Sequence, residues 1–506
     1  MVIGSLPASA ARRYPNKAAA WFRGQTITFA EFNNRVERLA HALKLQGMAK
    51  GDKVSILSRN CPEMLEVMFA AAKTGMIYVP LNFRLAPPEM KFVLNDAEVQ
   101  VLFVGDDFKE AVAQIADQVS CDQVVNLGDD YERLLAQGQP GCHEEEVAED
   151  DLFAIFYTSG TTGGPKGVML THDNFLSAAL NHIIAYQFSP SDVCYHSQPF
   201  YHTMQASLAI CCMYVAATSF IVESFDPHEF WGAVRDHGVT MITLVYTMLV
   251  DALDAFEQGG YDKGALHSFT VGGQSVPVDV IQRTQRLMGE GMIFQVYGLT
   301  EAAPLLTYLP KEEMVFQGQD AGRLASIGKE LFSCQVRVVD ENDRDVEPGV
   351  FGEIIARGPN IMQGYWQRPQ ETAHALRGGW LCTGDVAMVD EEGYLYIVDR
   401  KKDIIISGGE NISSREVEEV LYQHSLVQEC AVIGLPDARW GEQVRACVVL
   451  KSGVECKADE VIEYCRQRLA KYKCPRSVVF LDALPKDPLG KIQKRILRDQ
   501  YGEESA

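Results

Sequence analysis

The stretch YTSGTTGGPKG, from Tyr157 to Gly167, has the composition of a loop that wraps a phosphate. Glycines let backbone N–H groups approach an anion closely, and the hydroxyls and the lysine add further donors. A Walker loop requires Gly-x4-Gly-Lys-Ser/Thr, whereas Lys166 stands between Pro165 and Gly167. The stretch therefore predicts a triphosphate-binding loop that differs from that of the P-loop ATPases, with a plain mobile loop as the alternative.

Six further segments stand out along the chain. They are, in chain order, PFYHTMQ (199–205), VGGQSVP (271–277), YGLTE (297–301), TGD (383–385), DRKKDIIISGGENIS (399–413) and PKDPLGKIQKRILR (485–498). Together with the glycine loop they resemble, in the same order, the motifs of the adenylate-forming superfamily: acyl- and aryl-CoA synthetases, peptide-synthetase adenylation domains and beetle luciferases. Linked motifs are far more specific than single ones. The resemblance covers essentially the whole chain and is strongest to the fatty-acyl-CoA ligases.

The resemblance implies a reaction in two steps. A carboxylate attacks the α-phosphorus of ATP, which gives an acyl-adenylate and pyrophosphate, and a thiol then displaces AMP. Because the carboxylate and the triphosphate are both anionic, cations and oriented donors must offset their repulsion. The family's catalytic positions fall on Lys491, Glu301, Thr300 and His202, and Thr161 and Glu301 would be the oxygen ligands of Mg²⁺. His202 would gate the acid pocket, with a structural core histidine as the alternative.

The nucleotide contacts implied by the resemblance are spread over several motifs. The glycine loop would hold the β- and γ-phosphates, Tyr297 would stack on adenine, and Asp385 would accept the ribose hydroxyls with help from Arg400. The full set of positions implied for ATP and AMP is Thr158, Ser159, Gly160, Thr161, Thr162, Gly163, Lys166, Gly272, Gly273, Gln274, Tyr297, Gly298, Asp385 and Arg400.

A hinge, a CoA tunnel and an acid pocket are also implied. Lys402 falls at the family's hinge, about which the C-terminal domain rotates between the two steps. The positions implied for CoA are Ser407, Gly408 and Gly409. Four segments would build the acid pocket (200–207, 244–249, 271–275 and 302–307); none contains Lys or Arg, so a second substrate carboxylate would lack a partner. The residues expected to line this pocket are Phe200, Tyr201, Gln205 and Tyr246.

These features predict an ATP- and Mg²⁺-dependent acyl-CoA synthetase. The expected acid is an apolar monocarboxylate, namely a medium- to long-chain fatty acid, and the expected acceptor is CoA. Two alternatives remain open: an aryl (benzoate- or cinnamate-like) or cyclic carboxylate as the acid, and a carrier protein as the acceptor.

Helical and strand patterns alternate in the N-terminal part of the chain. Helical spacing at 29–47 and 63–75 alternates with apolar runs at 53–58, 76–82 and 99–105. Such alternation predicts an α/β fold, with parallel sheets flanked by helices. After Asn360 shorter strands dominate, followed by helices near 414–424 and 458–471.

Three regions are expected from these patterns. Residues 1–399 would form a large ATP- and acyl-binding domain with a small β subdomain, 400–403 a hinge, and 404–506 a small mobile α+β domain. The charged run DRKKD between two apolar strands favours a solvated connector, with a plain β-turn as the alternative.

Charge, cysteine content and apolar runs indicate which partners and which cellular compartment to expect. A net charge of -22 over 506 residues argues against nucleic acid and anionic membranes as partners. Thirteen cysteines without a CxxC pair, and an N-terminus without a long apolar run, favour a reduced cytoplasmic protein. The stretch between Asp192 and Glu223 lacks charges but breaks at Pro199, which favours a buried helix and strand over a membrane span. The oligomeric state stays open, with a homodimer as one option.

Overall fold

The computed structural model describes residues 1–141, 146–158, 165–272, 276, 278–314, 319–400, 403–407, 410–437, 440–486 and 492–502.

Helices occur along the whole described chain, from the N-terminus to the last described segment. They are α1 (Leu6–Arg13), α2 (Phe29–Leu45), α3 (Pro62–Thr74), α4 (Pro87–Asp96), α5 (Lys109–Ala113), α6 (Asp129–Gln137), α7 (His172–Tyr186), α8 (Thr203–Val215), α9 (Pro227–His237), α10 (Tyr246–Gly259), α11 (Val278–Met288), α12 (Pro369–Ala375), α13 (Ser414–Tyr422), α14 (Ala458–Arg466) and α15 (Lys494–Gly502).

Strands alternate with these helices. They are β1 (Ala18–Phe22), β2 (Gln25–Thr28), β3 (Lys53–Leu57), β4 (Ile77–Pro80), β5 (Val99–Val104), β6 (Gln123–Asn126), β7 (Leu152–Thr158), β8 (Lys166–Thr171), β9 (Val193–His196), β10 (Thr218–Ile221), β11 (Met241–Leu244), β12 (Ser268–Val271), β13 (Ile293–Tyr297), β14 (Thr307–Leu309), β15 (Lys329–Glu330), β16 (Gln335–Val339), β17 (Phe351–Arg357), β18 (Gly364–Tyr365), β19 (Leu376–Arg377), β20 (Trp380–Val389), β21 (Leu395–Arg400), β22 (Ile405–Ser407), β23 (Glu410–Ile412), β24 (Val427–Asp437), β25 (Gly441–Leu450) and β26 (Ser477–Phe480).

Two large sheets are mainly parallel, with antiparallel strands at both edges of the first and at one edge of the second. The nine-stranded sheet has the order β15-β14-β13-β12-β11-β9-β10-β1-β2 and is parallel from β13 to β1. The seven-stranded sheet has the order β18-β8-β7-β4-β3-β5-β6 and is parallel from β7 to β6. The α/β prediction is therefore confirmed, because parallel neighbours need the helical crossovers that the sequence pattern indicated.

Two smaller sheets complete the strand pairing. One has the order β16-β17-β20-β19, with β21 paired to β20. The other has the order β23-β22-β25-β24, with β26 parallel to β25. Helices α13 and α14 contribute Val417 and Val461 to a core shared with Val432 and Ala446 of the long hairpin β24–β25.

Local sequence signals set the helix ends. Thr28 accepts from the backbone N–H of Glu31 while the Glu31 carboxylate accepts from Thr28, so a capping box begins α2. Pro62 occupies the first turn of α3, and Gly75 ends that helix at a φ of 69°, where a side chain would be strained. Both helices match the predicted spans to within two residues.

The described contacts divide the chain into two compact units. Unit 1 comprises Met1–Val336 and Ala356–Cys382, and unit 2 comprises Arg337–Ile355 and Thr383–Ala506. The predicted boundary at 399 and the hinge at 400–403 stay predictions, and residues 401 and 402 lie outside the described chain.

The uncharged stretch between Asp192 and Glu223 forms β9, α8 and β10 in the interior of unit 1. Helix α8 has thirteen residues, ten of them buried. Among the described helices, none combines the length and the apolar character needed to cross a membrane.

Candidate active site

The glycine loop connects two antiparallel strands. Thr158 ends β7 and Lys166 begins β8, and the two residues pair directly across the hairpin. Ser159, Gly160, Thr161, Thr162, Gly163 and Gly164 lie outside the described residues. Helix α7 begins only at His172, after β8, as the VML run following the lysine indicated. Thr171 caps this helix by accepting from Asn174 N–H at 3.1 Å.

Tyr365 links the lysine of this loop to the proposed metal ligand. Lys166 Nζ lies 5.3 Å from the centroid of the Tyr365 ring, within the range of a cation–π contact. The Tyr365 hydroxyl donates to Glu301 Oε1 at 2.8 Å. Burial and the nearby Glu301 carboxylate raise the pKa of Tyr365, so its hydroxyl stays protonated and remains a donor. Sequence reasoning missed Tyr365, because 64 residues separate it from Glu301.

Tyr365→Phe should weaken Mg²⁺ binding without abolishing activity. The substitution removes one hydrogen bond to Glu301 and keeps the ring that contacts Lys166. Loss of a hydrogen bond to a metal ligand typically costs 10- to 100-fold in metal affinity, so we expect the Mg²⁺ concentration for half-maximal pyrophosphate release to rise about tenfold. An unchanged Mg²⁺ titration would count against Tyr365 as a positioning residue.

Thr300 and Glu301 sit in a short 3₁₀ turn, Thr300–Ala302, that follows strand β13. Tyr297 ends that strand and is buried. A Cβ at Gly298 would lie 2.0 Å from the carbonyl oxygen of Pro304, so only glycine fits there. A Cβ at Gly272 would lie 2.9 Å from Val296 Cγ2. The structure thus brings the predicted positions 272, 297 and 298 together; Gly273 and Gln274 lie outside the described residues.

The described parts of the four predicted pocket segments follow strands that end at one edge of the nine-stranded sheet. Segment 200–207 follows β9, 244–249 follows β11, 271–275 follows β12 and 302–307 follows β13. These four strands are adjacent and parallel, in the order β9-β11-β12-β13. Their carboxyl ends therefore share an edge, which is where open α/β sheets bind ligands.

Aromatic side chains dominate the first pocket segment. Phe200 and Tyr201 are buried, and the Tyr201 ring packs edge-on against Phe83 with ring centroids 5.3 Å apart. His202 lies half-buried, 4.4 Å from the Tyr201 ring. Tyr246, at the start of α10, is half-buried as well.

The remaining polar contacts hold this segment in place. Asn60, which sequence reasoning missed, accepts from Phe200 N–H at 2.9 Å and donates to the carbonyl of Gln198 at 2.8 Å. The predicted lining residue Gln205 is fully buried, and its Oε1 lies 2.9 Å from Nδ1 of His196. Its oxygen is thus engaged with the sheet.

Burial, and to a smaller extent the positive charge of Arg84, lower the pKa of His202 to about 4. The imidazole is therefore neutral at pH 7. The four pocket segments contain no Lys or Arg, yet the fold brings Arg84 from another segment close to His202. The tertiary structure, and not the sequence of the pocket segments, shows that the positively charged Arg84 lies near His202.

In unit 2, Asp385 and Arg400 are direct cross-strand partners in the pair β20–β21. Asp385 is 7% exposed. Its N–H donates to Thr383 Oγ1 at 3.1 Å, and Gly384 adopts a φ of 72° between them. The TGD motif thus lies within strand β20, and glycine allows the left-handed backbone conformation at its middle position.

Helix α15 begins within the motif 485–498 and contacts two positions at the predicted hinge: Asp403, the last residue of the hinge, and, through Ser414, Asp399, which precedes it. Arg498 Nη2 pairs with Asp403 Oδ1 at 2.6 Å. Lys494 donates to Ser414 Oγ, and Ser414 N–H donates to Asp399 Oδ2 at 2.7 Å. These buried and half-buried contacts join α15, α13 and the end of β21 within unit 2.

The remaining predicted residues of unit 2 are only partly described. Ser407 ends β22 and pairs with Glu410 of β23. Four residues with predicted roles lie outside the described residues: Lys402 of the hinge, Gly408 and Gly409 of the CoA contacts, and the catalytic Lys491. Their roles stay predictions. Ile492, directly after Lys491, forms a β-bridge with Lys486.

Comparison with family models matches residues 8–366 to the AMP-binding enzymes and residues 416–491 to the C-terminal domain of AMP-binding enzymes. Among curated proteins, the chain is 38% identical to a feruloyl-CoA synthase from an Amycolatopsis species, with 99% of each chain covered. It is 36% identical to an indoleacetate–CoA ligase from Aromatoleum aromaticum, covering 96% of this chain and 95% of that protein.

Among solved structures, the o-succinylbenzoate CoA synthetase of Bacillus subtilis is similar in two states. Its complex with the acyl-adenylate intermediate has a TM-score of 0.88 at 31% identity, covering 98% of this chain and 97% of that chain. Its complex with ATP and a magnesium ion has a TM-score of 0.87 at 32% identity, covering 98% of each chain. These likenesses extend over nearly the full length of the chains compared.

Proposed function

The chain belongs to the AMP-binding enzyme family and is an AMP-forming acid–thiol ligase that uses ATP, Mg²⁺ and CoA; from that premise we propose that the acid it activates is an aryl carboxylate. The sequence motifs favoured a medium- to long-chain fatty acid, with an aryl acid as the alternative. The named activities of the relatives, on ferulate, indoleacetate and o-succinylbenzoate, support the alternative better.

The aromatic wall of the first pocket segment carries this proposal. Tyr201 packs edge-to-face against Phe83, and the buried Phe200 precedes Tyr201 in the segment that follows β9. Aromatic rings prefer offset or edge-to-face partners, and such a pair contributes about 0.5–1.5 kcal/mol beyond the burial of area. A planar ring gains these contacts, whereas a flexible alkyl chain gains burial alone and loses more conformational entropy.

Two polar features fit a substituted ring. The neutral imidazole of His202 can donate a hydrogen bond to a ring hydroxyl or ether and can accept one from a ring hydroxyl. Arg84 places a positive charge near the same wall, so a phenolic or second acidic group would find a counter-charge there. This revises the expectation that a second carboxylate on the substrate would lack a partner.

The roles of the individual residues follow from the motifs they occupy. Lys491 stabilises the α-phosphate and carboxylate during adenylation, and Thr300 binds the α-phosphate. Glu301 ligates Mg²⁺ together with Thr161. Asp385 holds the ribose. These assignments are proposals carried by the resemblance, and the contacts of Glu301 and Asp385 support them.

A panel of acids tests the substrate class. Ferulate, indole-3-acetate, 2-succinylbenzoate, benzoate, octanoate and palmitate are each supplied with ATP, Mg²⁺ and CoA, and pyrophosphate release and thioester formation are measured. We expect at least one aryl acid to exceed both fatty acids in kcat/KM by about tenfold or more, since pocket fit alone discriminates on that scale. A fatty acid that surpasses every aryl acid would restore the first interpretation and overturn the proposal.

A further inference from the structure

Three metal-binding side chains converge in the interior of unit 1, beside the first pocket segment. Cys194 and His196 lie two residues apart on β9 and therefore project from the same face of the strand. Cys212 approaches them from helix α8. The two sulfur atoms and one ring nitrogen of His196 all lie within 4.8 Å of one another. At 2%, 0% and 1% exposed, the three residues are buried.

The orientation of His196 suits a metal ligand. Its Nδ1 lies 2.9 Å from Gln205 Oε1, which accepts a hydrogen bond from Nδ1–H, so that the lone pair of Nε2 can bind a metal. Nε2 faces Cys212 Sγ at 3.9 Å. When a sulfur and a nitrogen atom bind one zinc ion at the usual Zn–S and Zn–N lengths, with an angle of about 120° at the ion, the two atoms lie about 3.8 Å apart. Cys212 Sγ and His196 Nε2 therefore have nearly the spacing that a shared ion requires.

We propose that Cys194, His196 and Cys212 bind one thiophilic d¹⁰ cation, Zn²⁺ or Cu⁺. Thiolate and imidazole ligands select these ions over Mg²⁺, which prefers oxygen. Zn²⁺ would neutralise both thiolates in a buried place, where uncompensated charge is costly, and would need one further ligand to become tetrahedral. Cu⁺ would need no ligand beyond these three side chains.

The site would also couple a metal to the acid pocket. The pocket residues Phe200 and Tyr201 lie on the chain between His196 and Cys212, so a bound ion would tie together the two ends of this stretch. Gln205, which orients His196, belongs to the same stretch. Resting on the proposed function, we expect the loaded enzyme to show a different KM for the acid and an unchanged KM for ATP.

Metal content tests the site independently of the substrate. The full-length protein is produced in medium supplemented with Zn²⁺ or, separately, is titrated anaerobically with Cu⁺ against a chromogenic chelator. We expect about one ion per folded chain in one of the two arms, with the ligands deprotonated on binding. Co²⁺ replacing the ion would give the charge-transfer absorption of thiolate ligation.

Cys211 provides the matched control. It adjoins Cys212, is equally buried, and its Sγ faces the carbonyl of Ala179 on helix α7. Cys212→Ser should lose the ion and Cys211→Ser should keep it; Cys194→Ser replaces the first variant if that one does not fold. The proposed site would be overturned if folded wild-type protein held no stoichiometric metal in either arm, or if Cys211→Ser lost as much metal as Cys212→Ser. Neither result would affect the outcome of the acid panel.

Discussion

Replacing Lys491 with alanine is expected to cripple acyl-adenylate formation while largely sparing thioester formation from supplied acyl-adenylate. The lysine's charge is needed where a carboxylate attacks a triphosphate, and the second step no longer brings these two anions together. Losing one group that stabilises developing charge costs about 10²–10³ in rate. Acid-dependent pyrophosphate release measures the first step, and CoA consumption with synthetic acyl-adenylate measures the second.

Lys486 is the control for this experiment. It lies in the same motif and pairs with Glu429, and its side chain is about one-third exposed. Lys486→Ala should leave both steps close to wild type, because a partly exposed ion pair contributes about 0–1 kcal/mol to stability. If Lys491→Ala slowed both steps equally, the assignment of this lysine to adenylation would be wrong.

Glu301→Gln should reduce pyrophosphate release by about two orders of magnitude, comparable to the loss of one preorganised electrostatic contact. Glutamine keeps the size of the side chain and can still accept the hydrogen bond of Tyr365, so the fold should be preserved. It removes the negative charge that a hard cation such as Mg²⁺ prefers. The measurement is the rate as a function of Mg²⁺ concentration, with thermal unfolding as the check on stability.

Comparison with Tyr365→Phe makes this result specific. Tyr365→Phe keeps the carboxylate of Glu301, so added Mg²⁺ should restore its rate of pyrophosphate release. Glu301→Gln should keep a low maximal rate even at saturating Mg²⁺. If Glu301→Gln showed the Mg²⁺ dependence of the wild type, the assignment of Glu301 as a ligand of Mg²⁺ would be wrong.

Local sequence signals predicted many of the elements. The spans of α2 and α3 and the strands that alternate with them follow from apolar periodicity, capping residues and glycine ends, all of which act within a few residues. One helix was predicted correctly at its start and too long at its end, where such a signal is absent. The helix expected near 458–471 ends at Arg466, where the Cys465 carbonyl accepts from both Arg468 and Leu469 and closes a turn.

The sequence by itself identified the class of reaction, because linked motifs in the order of the family indicate an AMP-forming acid–thiol ligase. Tertiary structure alone decided which segments become neighbours. The order β9-β11-β12-β13 places four distant pocket segments at one edge, and folding brings Tyr365 to Glu301 and Arg84 to His202. The physical reason is that sheet order and side-chain contacts depend on pairing between residues far apart in the chain, which no local propensity encodes.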